Sequence, residues 1–157
     1  MGMRRFRSKR LLLAAAALGL IAATGDLDPK TVIADRQATM KGFAAKVKLI
    51  KAYADGEGDQ AAALDAARSI AETAPHIPSF FPPGTGTEVP GILTHAKPEI
   101  WSDRDRFEGT AARLAGEAHS LVAAIESGDR NASRDGLAAT GRVGCGACHE
   151  IFRAPLE

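Results

Sequence analysis

The sequence predicts an all-α protein, an antiparallel four-helix bundle, on three observations. Strand signals are scarce, because β-branched residues are few and alanine dominates every periodic segment. Four stretches carry apolar residues at helical spacing. Their links are short at both ends and long in the middle, which suits helices running alternately up and down.

Asp28-Pro29 opens the first helix as an N-cap followed by proline at the first helical position. Ile33, Met40, Val47 and Ala54 then fall seven apart, with Phe43 and Ile50 between them, so a helix is expected from Pro29 to Asp55. GEGD at 56–59 breaks it. A second helix should run from Asp59 to Ala74 with Leu64, Ala67, Ile70 and Ala71 inward, ended by Pro75 and Pro78. Residues 75–98 hold six prolines and three glycines and read as a long irregular connection. A loop of that length in a compact domain usually has a task or a fixed course.

Ser102, with Asp105 three residues on, reads as a variant capping box for the third helix. That helix should reach Ser127, with Phe107, Leu114 and Leu121 in one row and Ala111, Ala118 and Ile125 in the next. Gly128-Asp129 is a short break, and the last helix should span Asn131 to Phe152. Gly136, Gly141, Gly144 and Gly146 each cost it roughly 1 kcal/mol against alanine. So much glycine suggests a bulky neighbour that needs the backbone kept clear.

The start of the chain is not part of this bundle. Five basic residues lie within Met1–Arg10, and the run from Leu11 to Ala23 (LLLAAAALGLIAA) is apolar. Small residues follow at Ala23 and Gly25, which completes the layout of a secretory signal peptide over residues 1–25. Thirteen residues at ~1.5 Å rise reach roughly 20 Å, short of a ~30 Å hydrocarbon core, which argues against a retained anchor. Residues 26–157 form the expected domain, with 15 Lys and Arg against 19 Asp and Glu, a formal charge of −4. With no basic footprint to neutralise phosphates, nucleic acid is excluded as a partner.

Both cysteines stand in VGCGACHEIFR, residues 143–153. A thioredoxin-like dithiol needs a βαβ setting, and none is present. Structural zinc needs four ligands, and only one C-x-x-C exists, with His76, His95 and His119 at no ligand spacing. The remaining chemistry is covalent haem: Cys145 and Cys148 add to the two vinyl groups and His149 binds the iron. On a helix, 145, 148, 149 and 152 are i, i+3, i+4 and i+7, so both sulfurs, the imidazole and Phe152 share a face. Gly141, Gly144, Gly146 and Ala147 would leave room for the flat porphyrin.

The chain resembles a class II cytochrome c, the family of cytochrome c′ and its six-coordinate relatives, over nearly all of residues 26–157. The resemblance rests on the C-terminal CGACHEIFR, VIADRQATMK in the first helix, IPSFFPPGTG in the loop and IWSDRDRF opening the third helix. It implies a left-handed four-helix bundle with one haem c held between helices. It also implies roles for particular residues. Arg36 and Gln37 match the family's haem-propionate contacts, although a solvated helix face would serve as well. Arg153 matches an arginine near the proximal face, and could equally cap the helix. Met40, four residues after Arg36, stands where low-spin relatives carry a methionine ligand and cytochrome c′ commonly carries a non-ligand. From pattern alone, a methionine on a core stripe is packing.

The function expected on these grounds is an exported, periplasmic, monohaem electron carrier with His149 and Met40 as axial ligands, serving redox partner proteins and catalysing no substrate chemistry. The alternative is a five-coordinate, high-spin protein that binds nitric oxide or carbon monoxide. No stable membrane insertion is expected after signal cleavage. Homodimers through the first two helices are common in the family, but Lys41, Lys46, Lys48 and Lys51 leave that surface mixed. Trp101 is read as packing against the loop or haem edge, and His76, His95 and His119 as surface residues.

Overall fold

The computed structural model describes residues 28–155. The expected signal peptide over 1–25 lies outside the described residues.

Helix α1 is Pro29–Asp55, and its start follows the sequence reading closely. The Asp28 carboxylate accepts from the Thr31 amide at 3.1 Å and from its hydroxyl at 2.9 Å, satisfying a donor that the first helical turn leaves unpaired. Gly56, at φ 95°, ends the helix in the left-handed conformation that glycine adopts without penalty. Helix α2, Gln60–Thr73, is capped by Asp59, which accepts from the Ala62 amide at 2.8 Å. Asp129 caps α5, Arg130–Ala139, in the same way, accepting from the Asn131 and Ala132 amides.

α1 packs against α2 and α5, and α4 (Arg104–Glu126) packs against α2 and α5 (Arg130–Ala139), which closes the four-helix bundle. All six residues named for the two inward rows of α4 are buried, as are Ala67, Ile70 and Ala71 of α2. Met40 and Val47 are only partly buried, packed on the core's edge.

Three expectations need correction. The connection is not irregular from its start: α2 ends at Thr73, before Pro75 as expected, but the chain continues as a 3-10 helix over Ala74–Phe80. Proline is tolerated there because Pro75 falls in the first turn, where its missing N–H is not needed. Ser102 is not an N-cap. It ends a one-turn helix, α3, Glu99–Ser102, and Asp103 (φ −123°, ψ 56°) interrupts the chain before α4 begins with no side-chain cap.

The third correction concerns the last helix. It is α-helical over Arg130–Ala139, π-helical over Thr140–Gly146, and α-helical again as α6, Ala147–Phe152. Two of its glycines also answer a different need from the one expected. A Cβ on Gly144 would lie 2.6 Å from Leu114 Cδ1 and 3.2 Å from Leu114 Cα, and one on Gly136 would lie 3.3 Å from Leu121 Cδ1. These two glycines, with the buried Thr140 between them, let the last helix approach α4. Gly141 faces open space instead.

Gly144→Ala is therefore expected to destabilise the protein by about 1–2 kcal/mol, overpacking outweighing the gain in helix propensity. Gly141→Ala should be neutral or stabilising by up to ~1 kcal/mol. Urea unfolding of the two variants decides: equal midpoints would remove the close-approach account.

Candidate haem-binding site

A cavity of about 690 Å³ opens between α1, the long loop and the C-terminal segment. This lies within the ~300–1,000 Å³ range of sites for small molecules and cofactors. α1 contributes Arg36, Gln37, Met40, Lys41 and Ala44, a spacing that places them on one helix face. His149, Phe152 and Arg153 come from α6 and its end, and the loop supplies Phe81 and Leu93–Ala96. Ile77, Ile100 and Phe107 complete the apolar part of the wall. Phe107 meets Phe81 and Phe152 edge-to-face, each with ring centroids 5.1 Å apart, so the aromatic wall is held rigidly.

Six of the eight residues singled out in the sequence share this cavity: Arg36, Gln37, Met40, His149, Phe152 and Arg153. α1 and α6 have no Cα atoms within 8 Å of each other, so Met40 and His149 stand on separate walls. Cys145 and Cys148 do not line the cavity, although Cys148 directly precedes His149 in the chain. Both are free, half-buried and packed against the core. Cys145 belongs to the π-helical segment, so the single α-helical face expected for 145, 148, 149 and 152 is broken between the two thiols.

Electrostatics keep the motif's groups neutral. Burial, then the neighbouring Cys148, pushes the Cys145 thiol up. Burial also raises Cys148, against weaker lowering by a hydrogen bond with Thr110 and by Arg113. Burial, then the Arg153 guanidinium, lowers His149, so its imidazole is neutral at pH 7 with a lone pair free to bind a metal.

Arg36 is not on a solvated face: it is 3 % exposed. Its Nη1 donates to Thr85 Oγ1 at 2.9 Å, and its Nη2 donates to the Thr85 carbonyl at 2.7 Å and Thr94 Oγ1 at 2.8 Å. The guanidinium also lies 4.6 Å from the Phe81 ring centroid. Beside it, Gln37 Nε2 donates to the Leu93 carbonyl at 2.7 Å. Two adjacent residues of α1 thus pin the long loop against the cavity. Burial lowers the Arg36 pKa to about 10 although Glu88 opposes the shift.

The far side of the loop is tied down equally well. Trp101 Nε1 donates to the Phe81 and Pro82 carbonyls, so this indole packs against the loop as expected. Arg104 donates to the Pro78 and Phe81 carbonyls. Arg153 forms a one-residue β-bridge with Ala96, and its amide caps α6 by donating to the His149 carbonyl at 3.1 Å.

His95 corrects another expectation, since it is half-buried and lines the cavity, whereas His76 and His119 are exposed. Phe81 and Thr85 stood in IPSFFPPGTG with no role assigned to them, and Thr94 escaped the sequence reading. The loop's wealth of proline and glycine announces a fixed course but not its contacts.

The lining fits a large, flat, mostly apolar group bearing carboxylates. Its interior is aromatic and aliphatic, it carries Arg36, Lys41 and Arg153, and it contains no carboxylate. Arg36 is a buried cation whose close partners are all neutral, a costly state that a carboxylate in the cavity would relieve. Cys145 and Cys148 would tether haem through thioether bonds, and His149 would ligate its iron.

A helical bundle ending in C-x-x-C-H, with the motif's histidine facing an apolar cavity, defines a bundle-type c-type haem protein. The family model described as Cytochrome C′ matches residues 31–153, and the chain belongs to that family, whose members carry one covalently attached haem c. Cytochrome c′ of Rhodospirillum rubrum is 33 % identical over 156 residues, covering 93 % of this chain and 99 % of the relative. Cytochrome c-556 of Agrobacterium tumefaciens is 32 % identical over 120 residues, covering 75 % and 90 %. A solved cytochrome c′ described as having an unusual ligand-controlled dimer dissociation superposes with a TM-score of 0.76 at 29 % identity, covering 82 % of this chain and 98 % of that one.

Proposed function

We propose that this chain is an exported cytochrome c′ that binds a small gas, carbon monoxide or nitric oxide, at the iron of the haem that Cys145, Cys148 and His149 would hold. Bound haem supplies a redox-active iron that takes such ligands. The chain's own residues tether the group, offer one neutral imidazole, exclude water with an apolar wall and set the charge around its carboxylates. The observation that carries the reading is the cavity itself. Its lining is predominantly apolar, and the relatives named cytochrome c′ favour this assignment over a low-spin carrier. Residues 1–25 act as the signal peptide and 26–157 as the periplasmic domain, and no residue is assigned a role in substrate turnover. Ligand-linked dimerisation is part of the proposal, supported by the solved relative described in those terms.

A second reading has one specific observation in its favour. Met40 lines the same cavity as His149 from a separate helix, so its thioether could serve as sixth ligand in a low-spin electron carrier.

Absorption spectra of the ferric and ferrous protein, with carbon monoxide binding to wild type and Met40→Ala, separate the two. Gas binding predicts a high-spin ferric spectrum and equally rapid uptake by both proteins. Low-spin ferric bands with a methionine-to-iron charge-transfer feature, together with fast uptake only in Met40→Ala, would establish the carrier instead.

A further inference from the structure

We infer that the mouth of the cavity is a docking surface for a redox protein with an acidic face, which reduces or oxidises the haem. The inference rests on the placement of haem in this cavity, but not on which ligand the iron takes.

Leu93 stands at the mouth, 74 % exposed, the most exposed large hydrophobic side chain among the described residues. It is held there: its carbonyl accepts from Gln37. With its backbone fixed at the rim, this side chain adds apolar area to a contact whose partner is selected by charge.

Cations surround it. Lys41 and Arg153 line the cavity with it. Lys30 reaches the same loop, its Nζ only 3.3 Å from where a Cβ on Gly91 would lie. Lys97 follows in the loop, its amide bonded to the Phe152 carbonyl and its Nζ donating to the Glu150 carbonyl at 3.5 Å. Arg36 lies beneath. Glu88 acts on Arg36 through space, and its carboxylate also accepts from the Gly86 amide at 3.0 Å.

The contrast with the rest of the domain makes the pattern informative. Residues 26–157 carry a formal charge of −4, yet the cavity lining has cations and no carboxylate. Two haem carboxylates would offset only part of that excess. A negative protein with a positive mouth orients an acidic partner toward the haem edge and turns others away.

The test uses the mature holoprotein and hexacyanoferrate(III), an anion that takes one electron from the ferrous haem and becomes hexacyanoferrate(II). The expected rate falls as ionic strength rises, because screening weakens attraction to the local patch. The whole-protein charge predicts the opposite slope. Lys41→Glu/Lys97→Glu should lower the low-salt rate at least about fivefold and flatten the salt dependence. Reduction potentials measured for each protein separate steering from driving force.

Poly-L-glutamate supplies a readout independent of electron transfer. At low salt it should shift the amide resonances of Leu93 and Lys41, and the double variant should abolish the shifts. A rate that rises with salt, or polyglutamate shifts located elsewhere, would overturn the docking surface while leaving the haem assignment intact. A protein without haem bands would instead remove the assignment on which it rests.

Discussion

Arg36→Met is expected to lower the unfolding free energy by about 2–4 kcal/mol, read as an earlier urea midpoint at unchanged slope. The substitution removes three donors from Thr85 and Thr94 and the cation from the Phe81 ring. Each hydrogen bond from a charged donor is worth roughly 1.5–3 kcal/mol, and relief of the buried charge returns part of the sum. Arg36→Lys should also lose stability, since one ammonium cannot reach the acceptors that the guanidinium fork spans. The loss should be local in character. Amide exchange should quicken over residues 85–96, because Gln37 alone would then hold that stretch to α1. If midpoint and exchange both stayed as in wild type, the loop would have some other anchor. The consequence for function is direct, since the same loop supplies Phe81, Thr94 and His95 to the cavity wall.

Cys145→Ser/Cys148→Ser, secreted from a host that matures c-type cytochromes, should carry no covalent haem: its mass should equal that of the bare processed polypeptide. The bundle itself should still form. Its core of Phe107, Leu114, Leu121 and Ile125 is buried between helices, whereas both cysteines are only partly buried against its edge. Haem added to this variant would be held only by the cavity and His149, and should be removed by an acid–acetone extraction that leaves wild-type haem attached. A mass gain in the double variant would sink the attachment reading. A helical signal lost along with the haem would show instead that the prosthetic group is needed to fold the chain.

Much of the site was legible because its chemistry is local in sequence. C-x-x-C-H places three reactive groups within five residues, so no knowledge of the fold is needed to see them. Met40 could be assigned to an inward row from its heptad position, and it does reach the cavity. Arg36 shows the limit of such reasoning. The sequence left it open between a haem-propionate contact and a solvated helix face. What buries it is a loop about fifty residues further along the chain, whose threonine hydroxyls and carbonyl replace water around the guanidinium. His95 was misread for the same reason, since an isolated histidine in an irregular segment has no periodicity to give away its surroundings. Gly136 and Gly144 of the last helix were misattributed because sequence shows where a side chain is missing, but not which neighbour occupies the space.

Sequence by itself determined the helical class, most helix ends and the chemistry of the C-terminal motif. Each depends on interactions within a few residues: caps, apolar periodicity, and thiols beside an imidazole. Tertiary structure alone decided that the last helix has a π-helical stretch and presses Gly144 against Leu114, that Arg36 and Gln37 fasten the loop over the cavity, and that Met40 and His149 stand on separate walls. Those facts depend on which surfaces meet after the chain has folded. They arise from steric fit and desolvation between residues far apart in sequence, and no local pattern encodes them.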